Sequence, residues 1–414
     1  MLKKFKALDL FTKNIIVVFF SSFLCSFLNL ACQLLVAHKL IPSDFAAYNS
    51  LISIYSLLAT PLVTLQTALA KYIAEFKINN ELGRVSGLLS GFLKKAIAFS
   101  VFVFVALCFI FSLLMPGLKI NSLSSGYILA GMLAAALFTP IFLGGIQGME
   151  LFGWLSTSTV LSGFVKLALT YFFIFWGYSI NGALGAFLAA AICSAAVSYL
   201  PLKKYISFKK VAFRPDYREI FIYLWPVAIS IFCFTVLITS DMILVRYFFD
   251  TIDSGVYALA QMAGKIFLFL PGAISVVLLP KTSGLSAKKM NTVPVLMQSI
   301  RYGFILCLAA VAAYNLFPVF VLKVLTGKAL TESIFLGRLF SVSMSFFALL
   351  FILITYFLSI KDLRFIKYLV VFTFLEIGAI TLFHQSLVVV QVILCLSAIA
   401  LFAIHLKLAF DEKH

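Results

Sequence analysis

Residues 202–219 read LKKYISFKKVAFRPDYRE. Lys203, Lys204, Lys209, Lys210, Arg214 and Arg218 make this the most basic connection in the chain, and it falls near the middle of 414 residues. On either side lie long apolar blocks. A short basic connector between such blocks is what the positive-inside rule leaves on the cytoplasmic side of a membrane protein. The stretch therefore reads as a hinge point between two halves.

Composition agrees with that reading. Hydrophobic residues make up 63% of the chain and charged residues 11%. A soluble domain carries about 25% charged residues, so a normal water-facing surface cannot be built from this sequence. The formal charge of +17 does not point to nucleic acid, because the Lys and Arg residues sit in short loops between apolar runs. Some of that charge is expected to meet anionic lipid headgroups. The seven cysteines all fall inside apolar runs, and no Cys-x-x-Cys pair occurs. They read as small packing residues, with no support for a disulfide frame or a zinc site.

Runs of about 20 apolar residues predict membrane helices. Twelve are expected, near 14–37, 45–70, 88–115, 126–147, 155–177, 181–201, 219–247, 254–280, 294–317, 332–359, 365–383 and 387–407. The first follows a basic start with Lys3, Lys4 and Lys6. It is longer than a signal-peptide core and ends without a small-residue cleavage site, so it is expected to stay as an uncleaved span. With the N-terminus inside, the odd-numbered entrances and basic loops put 24 Lys and Arg on the cytoplasmic face and 6 on the other, with Lys166 and Lys265 left inside helices. That asymmetry predicts both termini in the cytoplasm and an even number of spans.

The fold class expected is all-α, a polytopic membrane protein of about twelve transmembrane helices in two six-helix lobes. The expected domains are an N-terminal lobe over 1–204, a basic cytoplasmic linker over 205–218 and a C-terminal lobe over 219–414. A weak internal repeat supports two halves. Tyr48, Pro61 and Lys71 in the second span match Tyr257, Pro271 and Lys281 in the eighth at offsets of 209, 210 and 210. Leu34-Leu35-Val36 and Ile243-Leu244-Val245 repeat at 209. Parallel repeats of this kind are a transporter architecture.

Charges inside the bilayer cost about 2.5–3.5 kcal/mol each on insertion scales and usually face a bundle interior or a wet cavity. Lys166, in STVLSGFVKLALTYFF, lies near the middle of span five. It reads as a cation lining a cavity or as half of an ion pair that fixes helix packing. Lys265, in YALAQMAGKIFLFLPGA, lies deep in span eight and carries the same two readings. Asp241, in VLITSDMILVRYFF, is placed to pair with Lys265; it reads as an ion-coupling group or a structural counter-ion. Arg246 lies five residues on, near the outer mouth, where it either lines the path or marks the helix end. Glu376 stands alone in the apolar run of span eleven. His38, His384 and His405 lie near helix ends and read as interfacial. Gln33, Gln66 and Gln147 read as interhelical hydrogen-bond groups.

No Walker A loop, Gly-x-Ser-x-Gly or His-Glu-x-x-His motif occurs in a plausible setting, and the loops are too short for an active-site domain. An enzyme is therefore not expected. No cofactor is expected either, beyond a coupling H+ or Na+.

Two groups of residues carry a family resemblance. Gly144-Gly145-Ile146-Gln147-Gly148-Met149-Glu150-Leu151-Phe152, the basic Lys166 and Gly177-Tyr178-Ser179-Ile180-Asn181-Gly182-Ala183-Leu184-Gly185 form the first. Asp241-Met242-Ile243-Leu244-Val245, Gly255-Val256-Tyr257, Gly264-Lys265, Leu270-Pro271-Gly272-Ala273-Ile274 and Leu279-Pro280 form the second. Their order and spacing resemble the polysaccharide (O-antigen type) flippase family, which shares a superfamily with lipid II flippases and multidrug-and-toxin exporters. The resemblance covers most of 1–290. It implies a MATE-like fold of two six-helix lobes around a central cationic cavity. It further implies alternating access that carries an undecaprenyl-pyrophosphate-linked oligosaccharide from the cytoplasmic to the outer leaflet of the plasma (inner) membrane.

On that basis Lys166, Lys265, Arg246, Gln147 and Tyr257 are the candidate substrate contacts, and Asp241 and Glu376 the ion-coupling candidates. The expected partners are the lipid-linked glycan, membrane lipids, and a glycan polymerase or other assembly proteins; the chain is expected to be monomeric. Two alternatives stand beside this reading. One is an ion-coupled multidrug exporter of the same superfamily, which should favour an acidic cavity. The other is a non-transport glycan-assembly protein, which the short outer loops and the repeat disfavour.

Overall fold

A computed structural model describes residues 10–120, 122–206, 217–269, 272–288 and 290–411. Lys3, Lys4 and Lys6, most of the basic linker with Lys209, Lys210 and Arg214, and Leu270-Pro271 of the family motif lie outside the described residues. Among those described there are helices and no strand. The sixteen helical segments are α1 (Leu10–Lys39), α2 (Pro42–Ile78), α3 (Leu82–Gly117), α4 (Leu123–Ala136), α5 (Thr139–Gly148), α6 (Phe152–Phe175), α7 (Ser179–Ile206), α8 (Tyr217–Leu237), α9 (Ser240–Phe248), α10 (Thr251–Phe269), α11 (Gly272–Ala287), α12 (Val293–Leu316), α13 (Pro318–Thr326), α14 (Thr331–Ile360), α15 (Ile366–Leu382) and α16 (Leu387–Phe410).

These segments account for the twelve expected spans. Ten spans in the described residues are long and apolar enough to cross a membrane by themselves. The other two correspond to α10 with α11 and to α15, which at 17 residues is just one short stretch of apolar helix. The chain is a multi-pass membrane protein.

Two spans that look continuous in the sequence are broken. Span four divides into α4 and α5 at Leu137 and Phe138, whose N–H groups donate three residues back to Ala134 and Ala135. Pro140, in the first turn of α5, lacks the N–H that would have continued the ladder. Span seven divides into α8 and α9 at Ile238 and Thr239. The Thr239 N–H donates to the Val236 carbonyl and its hydroxyl to the Thr235 carbonyl. A Thr-Ser pair competes with the helix ladder in this way. Irregular backbone at membrane depth survives only where protein covers it; accordingly Thr239, Ser240, Asp241 and Met242 are all buried. A further short helix, α13, was not anticipated. Pro318 starts it, and Gly327 ends it at φ 71°.

The chain clusters into two compact units. The first holds residues 1–39 and 58–224; the second holds 40–57 and 225–414. α2 thus contributes its opening turns to one unit and the remainder to the other, with Pro61 just after the change.

In the first unit, the core joins Leu69, Ile73 and Phe76 of α2 to Val85 and Leu89 of α3, Ile141 and Ile146 of α5, and Leu202 of α7. The glycines of α5 make this possible. A Cβ on Gly144 would lie 2.8 Å from the Gln66 carbonyl oxygen, and one on Gly148 would lie 2.7 Å from that of Ala70. The two glycines form a small-xxx-small face that lets α5 lie directly on the α2 backbone.

In the second unit α14 is the central helix. It packs on α10, α11, α12 and α16, and most of its length is buried. Gly264 of α10 admits the Phe340 side chain of α14, whose Cβ would be 2.7 Å from an added methyl group. Gly255 similarly faces Pro42 at the start of α2. The glycines flanking Tyr257 and preceding Lys265 are therefore set by close helix approach.

Candidate functional site

The candidate residues divide between the units, with Lys166 and Gln147 in the first and the other five in the second. In the first unit, Lys166 lies midway along α6, half-buried, between α1 and α7. Its Nζ donates to Asn29 Oδ1 at 3.0 Å and stands 4.1 Å from the centre of the Phe187 ring. Cys25 and Cys32 of α1 are also near enough to interact electrostatically. Among the described residues no carboxylate pairs with Lys166; the ion pairs are Lys77–Glu150, Arg84–Glu81 and Arg364–Asp362. The ion-pair reading of Lys166 therefore gives way to a cation held by an amide oxygen and an aromatic face, each a weak partner beside a carboxylate.

Gln147 is not beside Lys166. It lies exposed on α5 and accepts a 3.4 Å contact from Gln66 Nε2 on α2. Its neighbours explain the family stretch around it. The α5–α6 turn carries Glu150 at φ 58°, and Lys77 Nζ holds that turn by donating to Glu150 Oε2 at 2.6 Å and to the Met149 carbonyl at 3.1 Å. A groove of about 680 Å³ lies between α1 and α6, lined by Leu34, Leu35, Phe164 and Tyr171 among others. It is almost wholly apolar, and Lys166 does not line it.

The second unit gathers five of the candidates. Asp241 occupies the first turn of α9, directly after the break in span seven. A carboxylate there meets the unpaired N–H end of a half-helix, where negative charge is favoured. Tyr257 Oη donates to Asp241 Oδ2 at 2.9 Å and Gln261 Nε2 donates to the same oxygen at 2.8 Å. Among the described residues Asp241 Oδ1 has no hydrogen-bond partner. Asp241 and Tyr257 are each 0% exposed and Gln261 1%.

Tyr257, Gln261 and Lys265 are spaced by four residues, which sets them on one face of α10. Lys265, half-buried, acts electrostatically on Asp241. Among the described residues no direct ion pair joins the two. Glu376 comes in from α15, buried, and its charge bears on both Asp241 and Tyr257. Neither of its oxygens meets hydrogen-bond geometry, although Ser397 of α16 is close enough to influence it.

Arg246 belongs to the last turn of α9 and is buried. Its electrostatic partner is Asp44, in the first turn of α2. Ser50 Oγ, one and a half turns further along α2, donates to the Met242 carbonyl at 3.4 Å. Arg246 is thus part of the packing between α9 and the opening turns of α2. His405, read from sequence as interfacial, is fully buried between the rings of Phe357 and Phe365. Three supporting residues escaped the sequence reading. Gln261 was detectable from its spacing to Tyr257 and Lys265. Asn29 and Phe187 were not, because nothing local marks which polar or aromatic residue of one span faces another.

A family profile described as polysaccharide biosynthesis protein matches residues 11–286, about two thirds of the chain. Among curated proteins none matches. Among solved structures, an inward-facing multidrug resistance MATE family transporter of the MOP superfamily superposes with a TM-score of 0.77 at 16% identity, covering 93% of this chain and 94% of that one. The lipid II flippase MurJ, in an inward closed conformation, gives 0.72 at 13% identity over 96% and 88%. A MOP superfamily transporter from Pyrococcus furiosus, described as having a binding pocket of reverse polarity that suggests a different function, gives 0.58 at 15% identity over 96% and 95%. These relatives are transporters and a flippase rather than enzymes. At such identities the likeness is one of fold, and the fold is that of the MOP superfamily. The profile match, which spans nearly all of the first unit and the opening part of the second, goes further: this chain belongs to the polysaccharide biosynthesis protein family.

Proposed function

We propose that the protein flips an undecaprenyl-pyrophosphate-linked oligosaccharide, of the O-antigen or a similar surface-polysaccharide type, from the cytoplasmic to the outer leaflet of the inner membrane. Both termini face the cytoplasm in this reading, and the two six-helix halves work by alternating access. The observation that carries it is Lys166. A cation at membrane depth that pairs with no carboxylate among the described residues is poorly compensated, and a pyrophosphate is the kind of anion that would compensate it. An exporter of organic cations calls for the opposite polarity.

Ion coupling is assigned to the second unit. Asp241 has the cation Lys265 acting on it, and Glu376 adds a second carboxylate whose charge bears on Asp241. Both carboxylates cannot remain ionised in a buried site without a further positive charge. A proton or a sodium ion would supply it, and Glu376 is the exchangeable member because both its oxygens are unpartnered. Tyr257 and Gln261 serve Asp241, and Lys265 connects the coupling group to the substrate path.

The test is complementation of a strain lacking its glycan flippase, with membrane expression verified. Wild type should restore surface glycan. Lys166→Ala should fail while remaining well expressed, and Glu376→Gln should lose dependence on pH or sodium. Full function in Lys166→Ala would reject the cationic site. Failure of the wild type across all glycan pathways tried, with uptake or efflux of organic cations instead, would favour an exporter.

A further inference from the structure

A second basic site stands apart from the candidates above, at the end of the first unit where α7 runs into the linker. Leu151, Trp154, Leu200, Pro201, Lys203 and Lys204 line a cavity of about 580 Å³ that opens outward. Lys203 and Lys204 form the last turn of α7, and Trp154 lies in the first turn of α6. All three side chains are exposed. Lys204 Nζ rests 4.8 Å from the centre of the Tyr205 ring. Among the described residues neither lysine forms an ion pair with a carboxylate, and Glu150, four residues before Trp154, is engaged by Lys77 at 2.6 Å.

We infer that this cavity binds one anionic glycerophospholipid, the phosphate between Lys203 and Lys204 and the glycerol and first methylenes against Leu151, Leu200 and Pro201. Three features select a lipid over another occupant. The cavity couples two cations to an apolar floor, which suits a charged head on a hydrocarbon body. An exposed tryptophan and paired lysines at the end of a membrane helix mark headgroup depth. Basic pockets between helices on this side of a membrane are the form that anionic-lipid sites take. The site does not depend on the flippase reading, because it uses none of the transport candidates.

Trp154 supplies the reporter. The chain has three tryptophans, so Trp176→Phe with Trp225→Phe leaves Trp154 alone. This full-length variant is placed in phosphatidylcholine nanodiscs, and quenching by brominated phosphatidylglycerol is compared with quenching by brominated phosphatidylcholine. Two lysines near an anionic headgroup give a preference of about thirtyfold for phosphatidylglycerol at most. Lys203→Gln with Lys204→Gln should bring the preference close to one. Lys94→Gln with Lys95→Gln, two exposed lysines of α3 in the same unit, should leave most of it. Equal losses from both pairs would reduce the site to general surface attraction and overturn the inference. Displacement of phosphatidylglycerol by inorganic phosphate, at constant ionic strength, would instead identify a soluble-anion site and also overturn it.

Discussion

Tyr257→Phe removes one oxygen atom and reports whether Asp241 is held as an anion. Two donors reach Asp241 Oδ2, from Tyr257 at 2.9 Å and Gln261 at 2.8 Å, while among the described residues none reaches Oδ1. The carboxyl is fully buried, so water cannot replace a lost donor. Hydrogen bonds to a charged group are worth about 1.5–3 kcal/mol and neutral ones about 0.5–1.5 kcal/mol. Tyr257→Phe should therefore destabilise the protein by about 2 kcal/mol. In an Asp241→Asn background the same change should cost about 1 kcal/mol, because the acceptor is now a neutral amide oxygen. The double-mutant cycle then gives a coupling near 1 kcal/mol. Chemical unfolding in mild detergent at neutral pH, followed by tryptophan fluorescence, measures all four species. A Tyr257→Phe cost that is the same in both backgrounds would refute the reasoning. Asp241 would then be a neutral acid in the resting protein, and Lys265 would need another counter-charge.

Other consequences follow from single contacts. Gly148→Val should destabilise by at least about 2 kcal/mol, since even a Cβ would lie 2.7 Å from the Ala70 carbonyl oxygen; Gly153→Ala, with nothing within 4 Å, should be tolerated, and the midpoint of thermal unfolding separates the two. In the α14–α15 loop, burial pushes the Asp362 carboxyl up, but four bonds from Arg364 outweigh it and hold it below the usual carboxylate range. That stability is present above the unfolded value of about 3.9 and is lost as pH falls below it. Arg364→Ala should therefore cost less than about 1 kcal/mol at neutral pH, as Arg364 is half-exposed, and nothing in strong acid. Lys361 ends α14 at φ 61°, so Lys361→Gly should stabilise by about 0.5–1 kcal/mol in the same unfolding assay.

The membrane spans were legible because each is a long apolar run, and apolarity over that length has one structural solution in lipid. The interruptions were not. Leu137-Phe138 and Ile238-Thr239 lie inside such runs, and the N–H groups of Leu137, Phe138 and Thr239 turn three residues back without any break in hydropathy. α13 left a clearer trace, with Pro318 at its start and Gly327 in the left-handed region at its end, the usual punctuation of a short helix. Among the site residues, the charges themselves stood out from the background. Their partners depended on how near they were in sequence. Tyr257 and Gln261 lie on the same helix as Lys265, so their spacing held the signal of a common face, although Gln261 was not picked out from it. Glu376 reaches Asp241 only through the packing of α15 against α9, and Asn29 reaches Lys166 only through the packing of α1 against α6. Helix-to-helix neighbours of this kind are invisible to periodicity.

The two units treat buried charge in different ways, and the difference bears on mechanism. In the second unit the broken span and the acid answer each other's needs. The break leaves backbone groups that must be covered by protein, and Asp241 lies in that covered turn with a tyrosine and a glutamine committed to it. With both acids ionised, Asp241, Glu376 and Lys265 leave one net negative charge, so uptake of one cation makes the cluster neutral. Among the described residues no acid pairs with Lys166. Its helix is continuous, its partners are a neutral amide and a ring, and its charge is left for something that is not part of its own unit. A cluster that switches with one cation suits coupling, and a lysine without an acid suits an anionic cargo. On the function we propose, the second unit would set when the transporter moves and the first would grip what it moves. Exchanging Asn29 for Asp tests that division directly: a carboxylate 3.0 Å from Lys166 would neutralise it in place. Transport should fall as sharply as in Lys166→Ala, while the pH or sodium dependence of any residual activity should stay as in wild type.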